Sequence, residues 1–512
     1  MPRRQAPPLW GSFALDHDSG VPLQEQLAAH FRGAVMDGRL KPGAQLPSTR
    51  ALAAEAGVSR QTAVLAYERL VAEGYAEGRP GAGMFVPAVL PEALLQVGRP
   101  SAPVAPDAPV GSLSARGRDI AALPITPARR GAGLLSPGLP AFDAFPFEVW
   151  GRLSARLWRD RPTAEVLGYF DPAGYLPLRE AIAAHLGAAR GLACTAEDVI
   201  VTSGSQQAIA LAARLLLDPG DAAWVEDPAY VSGRSALAAN GARLVPVPVD
   251  REGLDVAAAE AMAPTARLAL VTPSHQYPLG VTMSLRRRLA LLDWAERSGA
   301  WILEDDYDSD FRYAGRPLRP LRALAKPGAA RVITIGTFAK VLAPGLRLGY
   351  AVVPRALAPA FATARALTDR QSAGPEQAIL AAFIAEGHLA QHLRRMRVLY
   401  AARRAALLDA LAEGASDLVT WDAGGPQAGL HLAASFLDQA LDDVAVYEAA
   451  RRIGLQAPPL SGSFLGPPTR GVVLGFAGTS AERMREGVTL LRRAAESVIG
   501  RQSRTSGRHA LT

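Results

Sequence analysis

Val332-Ile333-Thr334-Ile335-Gly336-Thr337-Phe338-Ala339-Lys340 is an apolar, β-branched run closed by a glycine, a threonine and a lysine. Such a run reads as a buried strand, which sets Lys340 just beyond its carboxyl end, where open α/β sheets bind ligands. A second strand, Trp301 to Leu303, ends in Glu304-Asp305-Asp306-Tyr307-Asp308. Carboxylates so crowded are costly to bury unless a cation or hydrogen-bond donors meet them. A third strand, Val199 to Thr202, leads through Ser203-Gly204-Ser205-Gln206-Gln207 into a helix, offering N–H groups and hydroxyls to a phosphate. Arg347, in Pro344-Gly345-Leu346-Arg347-Leu348-Gly349, is a cation suited to the same phosphate. A lysine amine, a carboxylate that keeps a pyridinium protonated and donors for a phosphate are what pyridoxal phosphate chemistry requires. Mg²⁺ or Ca²⁺ is the rival partner for the acidic run, which lacks calcium-loop spacing. Each motif alone also suits an ordinary turn or a salt bridge; their coincidence carries the reading.

Further apolar runs, Ala223 to Val225, Leu244 to Val249, Leu268 to Thr272 and Leu348 to Val353, end in polar or glycine-rich turns, with helical stretches between several of them. This alternation predicts a mainly parallel sheet covered by helices on both faces. Beyond Gly387, amphipathic helices mix with short strands at Leu430-His431-Leu432 and Val472-Val473-Leu474, predicting a small C-terminal α+β subdomain.

Toward the N-terminus the pattern changes. Leu23, Leu27, Phe31 and Val35 recur every four positions and predict one helix. Ser48 and Ser59 are caps for a second and a third, Gly57 ends the second, and Tyr75 to Val86 reads as a glycine-tipped hairpin. The product is a mainly helical winged helix-turn-helix. With Ala63, Tyr67 and Leu70 inward on the third helix, Arg60, Gln61 and Val64 project outward near the end that enters a major groove. Arginine suits guanine, glutamine suits adenine, and Ser59 or Thr62 suits phosphate. A helical docking domain with a solvated polar face is the plainer alternative. Between the two modules, residues 87–131 are rich in Pro, Ala, Gly and Ser and read as a linker. The expected organisation is an extension over 1–19, the winged module over 20–86, the linker, a cofactor-binding domain over 132–500 and a flexible tail over 501–512.

Composition agrees with a folded, multidomain protein: 512 residues, 49% hydrophobic and 20% charged. The apolar run Ala208 to Leu217 is too short for a bilayer and the first ten residues lack a signal's apolar core, so a cytoplasmic protein without membrane spans is expected. The one cysteine, Cys194, excludes an internal disulfide and a cysteine-cluster metal site, and no metal is expected. A net charge of +7 fits a nucleic-acid partner without requiring one.

Leu46-Pro47-Ser48-Thr49-Arg50, Gly57-Val58-Ser59-Arg60-Gln61-Thr62, Glu73-Gly74-Tyr75 and Gly81-Ala82-Gly83-Met84-Phe85-Val86 resemble the GntR-type winged helix-turn-helix over about residues 20 to 86. The resemblance implies DNA contacts by Arg50, Ser59, Arg60 and Thr62, with Gly83 of the wing near the minor groove. Val64 stands where some relatives carry arginine, so base preference does not transfer.

Asp171-Pro172-Ala173-Gly174-Tyr175, Thr202-Ser203-Gly204-Ser205-Gln206-Gln207, Glu226-Asp227-Pro228-Ala229-Tyr230, Thr272-Pro273-Ser274-His275-Gln276-Tyr277-Pro278-Leu279-Gly280, the acidic run and the Lys340 loop resemble fold-type I aminotransferases. The likeness extends over about residues 140 to 480 and is closer to the MocR/GabR group of regulators. It implies pyridoxal 5'-phosphate with Lys340 as Schiff-base lysine, Asp305 at the pyridine nitrogen and Tyr307 at the phenolic oxygen. Ser205, Gln206, Thr337 and Arg347 would hold the phosphate, Tyr230 would stack on the ring, and Tyr169 would reach a partner subunit's phosphate in a head-to-tail homodimer. Ala339 replaces a serine common before the lysine. His275-Gln276-Tyr277 replaces the asparagine that ordinary aminotransferases keep near the cofactor, which sets His275 among the cofactor's neighbours.

Two functions are compatible with these residues: a regulator that binds a double-stranded operator and senses an amine, an amino acid or the cofactor, or an aminotransferase with an accessory DNA-binding domain. The N-terminal module favours the first. Val473, aligned with the arginine that holds a substrate α-carboxylate in such enzymes, predicts slow or absent transamination.

Overall fold

In the computed structural model, which describes residues 15–90, 112–126, 133–162, 164–313, 318–326, 331–422 and 428–509, the chain forms two compact units, Met1–Ser112 and Leu113–Thr512. Parts of the expected extension, linker and tail lie outside the described residues.

In the first unit, α1 (Leu23–Met36), α2 (Thr49–Ala56) and α3 (Arg60–Ala72) enclose Leu27, Phe31, Leu52, Ala63, Tyr67 and Leu70. The serine caps act as expected. Ser48 Oγ accepts the Ala51 N–H at 3.2 Å and Ser59 Oγ the Thr62 N–H at 3.1 Å, each satisfying a donor that the first helical turn leaves open. Gly57 closes α2 at φ 67°, a left-handed conformation that glycine adopts without steric cost. β1 (Glu77–Arg79) and β2 (Gly83–Phe85) pair antiparallel as the wing. Tyr67 Oη donates to Pro47 O at 2.7 Å and pins α3 to the turn before α2.

The second unit is built on β3 (Val199–Thr202), β4 (Ala222–Asp227), β5 (Arg243–Asp250), β6 (Gly253–Leu254), β7 (Leu268–Val271), β8 (Trp301–Asp306), β9 (Val332–Thr337) and β10 (Gly349–Val352). Their order is β3-β10-β9-β8-β7-β4-β5-β6. β5, β4, β7, β8 and β9 are parallel neighbours, as expected of a sheet that helices cover on both faces. Trp224 on β4 stacks on Trp294 of the helix Leu285–Ser298 at 3.8 Å, both fully buried, and anchors one such cover. β10 runs antiparallel to both β3 and β9. The segment Phe338 to Leu348 is too short for a helical crossover, so the chain turns straight back. That turn puts Lys340 and Arg347 on one loop at the carboxyl ends of the parallel strands.

β11 (Val419–Trp421), β12 (His431–Phe436) and β13 (Gly471–Gly475) form a separate antiparallel sheet, with the helices Asp443–Arg452 and Met484–His509 completing the C-terminal α+β part. Within the stretch read as linker, Ala115–Ala121 is helical, started by Ser114 Oγ accepting the Gly117 N–H at 3.0 Å. The residues after it rest on the helix Val231–Ala239 through Ser235 Oγ donating to Pro124 O and the Thr126 N–H donating to Ser232 Oγ. Among the described residues no helix is long and apolar enough to cross a membrane.

Candidate functional site

β8 resolves the crowded carboxylates by strand alternation. Glu304 is buried and accepts the Leu321 N–H at 3.0 Å and the Thr334 hydroxyl at 3.2 Å, while Asp306 pairs with Arg190 at 2.8 Å. Asp305 turns to the opposite face and lines a cavity of about 390 Å³. Its Oδ1 is buried without a hydrogen-bond partner. Burial, reinforced by Asp306, pushes the Asp305 carboxyl up to about 7 against the opposing pull of Lys340. A carboxyl raised by burial would be stabilised as the anion by a cationic hydrogen-bond donor arriving in the cavity.

Lys340 enters the same cavity from the β9–β10 loop, its Nζ donating to Gly138 O at 2.8 Å. At the far end, Gly204 (φ 122°) begins the helix Ser205–Leu216 and exposes its first N–H groups. A Cβ on Gly204 would sit 3.6 Å from Arg347 Nη2, so the guanidinium lies beside the helix start, and both line the cavity, a pairing of charge and helix N-terminus that suits an anion. Arg347 is held in the left-handed region at φ 51°, a conformation costly for a side-chain-bearing residue and typical of functional sites. Ser205, Gln206, Thr337 and Tyr230 line the same cavity. Gln206 Nε2 donates to Ser232 O at 2.7 Å, and its buried Oε1 has no partner.

Tyr307 also lines the cavity, and His275 stands behind it rather than on the wall. Tyr169 is not among the residues that line the cavity: it is 80% exposed, with the Arg370 guanidinium 4.2 Å from its ring centroid. Gly138, Leu430 and His431, which no sequence motif marks as site residues, line the cavity together with Tyr277 of the replaced asparagine motif. Pro137-Gly138 is a turn signal, but nothing local ties it to Lys340, and His431 was visible only as part of a short strand. His275, Asp308 and His431 bring metal-ligand atoms within 4.8 Å of one another, a grouping absent from the acidic-run reading. All three side chains already serve hydrogen bonds, His275 Nδ1 with Asp308 Oδ2 at 2.9 Å and His431 Nε2 with Pro278 O at 3.2 Å.

In the other unit, Arg60 opens α3, and Arg50, Ser59, Arg60, Gln61 and Gly83 are exposed. Thr62 is half-buried, its Oγ1 2.8 Å from Ser59 Oγ. Gly83 at φ 108° shapes the wing, where an added Cβ would lie 3.3 Å from Gln45 Nε2. Gln45 Nε2 in turn donates to Ala82 O at 2.8 Å, fixing the wing tip against the module.

Comparison with known proteins agrees with both halves. Residues 23–86 match the model of bacterial regulatory proteins of the gntR family, and residues 142–459 that of aminotransferase class I and II. The chain is 42% identical to the probable rhizopine catabolism regulatory protein MocR of Rhizobium meliloti, over 94% of this chain and 95% of that one. It is 33% identical to the HTH-type pyridoxine biosynthesis transcriptional regulator PdxR of Corynebacterium glutamicum, over 92% and 96% of the two chains. Among solved structures, the α-aminoadipate aminotransferase LysN of Thermus thermophilus, complexed with N-(5'-phosphopyridoxyl)-L-leucine, is 28% identical with a TM-score of 0.66, covering 76% of this chain and 96% of that one. With a helix-turn-helix and an aminotransferase-like half matched in one chain, and a regulator alike over nearly its whole length, the protein belongs to the MocR-type transcription regulators.

Proposed function

We propose that this chain is a bacterial DNA-binding regulator that carries pyridoxal phosphate and answers to a small molecule at the cofactor: an amine, an amino acid or pyridoxal phosphate itself. One observation carries the cofactor: Asp305 with its buried, partnerless oxygen, Lys340, and the helix start at Gly204 with Arg347 beside it all line one cavity. Pyridoxal phosphate supplies an aldehyde that captures amines and a pyridinium that withdraws electrons. Lys340 would hold it covalently and Asp305 would accept the ring N–H. Ser205, Gln206, Thr337 and Arg347 would bind the phosphate, Tyr230 would cover the ring and Tyr307 would face the phenolic oxygen. The exposure of Tyr169 suits contact with a partner subunit in a head-to-tail homodimer, and a protein that reads chromosomal DNA works in the cytoplasm. Arg50, Ser59, Arg60, Gln61, Thr62 and Gly83 would meet the operator. The domain organisation we favour keeps the winged module at 20–86 and the cofactor domain at 132–500.

The test is binding to the DNA upstream of the protein's own gene, measured by anisotropy at fixed salt with and without pyridoxal phosphate and candidate amines. Specific binding that any of these ligands changes supports the reading. Binding no tighter than to unrelated duplex would overturn it and leave an aminotransferase with an accessory basic domain.

A further inference from the structure

His275 is built into its place from three directions. A Cβ on Gly429 would lie 2.0 Å from its Cε1, and one on Gly280 would lie 3.1 Å from its Nε2, so two glycines of separate segments make room for the ring. His431 closes the remaining side edge-on, with ring centroids 5.1 Å apart. In that slot His275 engages the Tyr307 oxygen twice. Tyr307 Oη donates to the His275 carbonyl oxygen at 2.9 Å, and His275 Nδ1 lies 3.1 Å from the same Oη. Nδ1 is also 2.9 Å from Asp308 Oδ2, and Asp308 is fully buried.

An ionised Asp308 accepts and has no proton to donate, so it fixes the proton of His275 on Nδ1. That N–H then points between the carboxylate and a lone pair of Tyr307. We infer that Asp308 and His275 act as positioning residues for Tyr307, holding its hydroxyl at the cavity edge as a polarised donor toward the phenolic oxygen of a bound pyridoxal phosphate. The inference rests on the cofactor reading above. The Tyr307 oxygen is held by the His275 imidazole as well as by the His275 carbonyl, so it keeps one tether when its proton leaves the carbonyl. Only its proton is free to exchange the His275 carbonyl for an oxygen arriving in the cavity. Donation into the Tyr307 lone pair strengthens the donor on the other side of the oxygen.

Among the described residues, the titratable groups facing this trio include Asp305, Asp306, Glu226, Tyr277, Tyr313, His431 and Lys340. Burial first, and Asp308 next, hold the Tyr307 hydroxyl well above the ordinary phenol range, so Tyr307 is neutral and able to donate.

The experiment is a pH titration of the visible cofactor absorption of the full-length holoprotein, in wild type and in Tyr307→Phe, His275→Phe, His275→Gln and Asp308→Asn. A donor to an oxyanion lowers the pH midpoint of the absorption change, so its loss raises it, by roughly one unit for Tyr307→Phe. His275→Phe and Asp308→Asn should raise it by about half a unit each. Neither should add to the shift already present in the Tyr307→Phe background, and His275→Gln, which keeps a donor, should restore much of the wild-type value. If Asp308→Asn and the His275 variants leave the midpoint alone while Tyr307→Phe moves it, the positioning role is overturned and Tyr307 stands. If Tyr307→Phe has no effect, the contact of Tyr307 with the cofactor is wrong and the inference falls with it. A wild-type protein without a visible band, even after loading with pyridoxal phosphate, fails at the cofactor itself.

Discussion

Lys340 Nζ and the carbonyl oxygen of Gly138, 202 residues apart in the chain, meet at 2.8 Å. The contact holds the amine in the cavity that Gly204 and Arg347 also line, where an aldehyde brought in by its phosphate would find it. Gly138 can approach so closely because it is glycine: its φ is +77°, and a Cβ there would lie 2.9 Å from Nζ.

Two variants should separate tethering from positioning. Lys340→Ala is expected to abolish the visible band of bound cofactor while some phosphate-held cofactor remains, because the covalent link needs that amine. Gly138→Ala keeps the amine but adds left-handed strain of about 1–2 kcal/mol and pushes Nζ aside. It should lower both the melting temperature and the covalent yield. Borohydride reduction followed by peptide mapping checks both; a pyridoxyl group on another lysine would remove Lys340 from its role.

Arg60→Ala should weaken operator binding by about 1–3 kcal/mol, the worth of one bidentate base contact, and leave cofactor absorbance unchanged. The two sites belong to separately compact units, so in the absence of DNA the substitution should leave the cofactor site intact. Unchanged affinity and base preference in a salt-controlled titration would take Arg60 out of the reading set.

Asp305 predicts a pH dependence of stability with a definite sign. Its carboxyl sits near 7 in the folded chain, against an ordinary value of 3.8. Between those values the folded state keeps a proton that the unfolded chain has lost, so stability falls as pH rises and the full penalty is reached above the folded value. The upper bound for this one group is about 4 kcal/mol. In cofactor-free protein, Asp305→Asn should therefore melt above wild type, by a margin that grows from pH 5 to pH 7.5. Glu226 and Glu304, both pushed up to about 7 chiefly by burial, add a slope of the same sign in the two proteins, and Glu226 also raises Asp305, so the difference reports Asp305 together with that coupling. Added pyridoxal phosphate should erase or reverse the margin by giving the carboxylate a cationic partner. A margin that does not vary with pH would contradict the assignment.

Much of this was readable from local pattern. Strand Val332 to Ile335 and the loop to Lys340, the acidic end of β8, and both serine caps follow from nearest-neighbour chemistry, since strand alternation and helix starts are encoded within a few residues. The antiparallel return of Leu348 to Val353 was hidden because a run of apolar residues carries no direction. The partners Gly138 and His431 were hidden for another reason. They come from segments far away in sequence, and only the closed fold brings them to the lysine and the tyrosines. His275 shows the middle case, recognised as a departure from the aminotransferase pattern and given its place, behind Tyr307, only by the glycines that surround it.

Transamination of α-amino acids should be slow or absent, and β13 now gives this a geometric basis. Val473 pairs with Ala433 of β12, and alternation sets it on the same strand face as Gly475. An added Cβ at Gly475 would strike Ser136 O and Pro137 Cα, so this face looks toward the Pro137-Gly138 turn at the cavity. Val473 is not itself among the residues that line the cavity, and as a buried valine it offers a carboxylate no donor. Arg470 does not substitute for it, because its Nη1 donates to Ala440 O at 2.9 Å. The cations that the described residues bring to the cavity, Lys340 and Arg347, are both committed to the cofactor in this reading. Turnover with common amino acids should then lie far below ordinary enzyme rates of about 1–10³ s⁻¹. Single-turnover absorption spectroscopy across the α-amino acids measures this directly, and rapid conversion with any of them would restore the enzyme reading. Val473→Arg tests the cause: a gain in amino-acid conversion without loss of operator binding would show that the missing donor, rather than a misformed cofactor site, holds the reaction back.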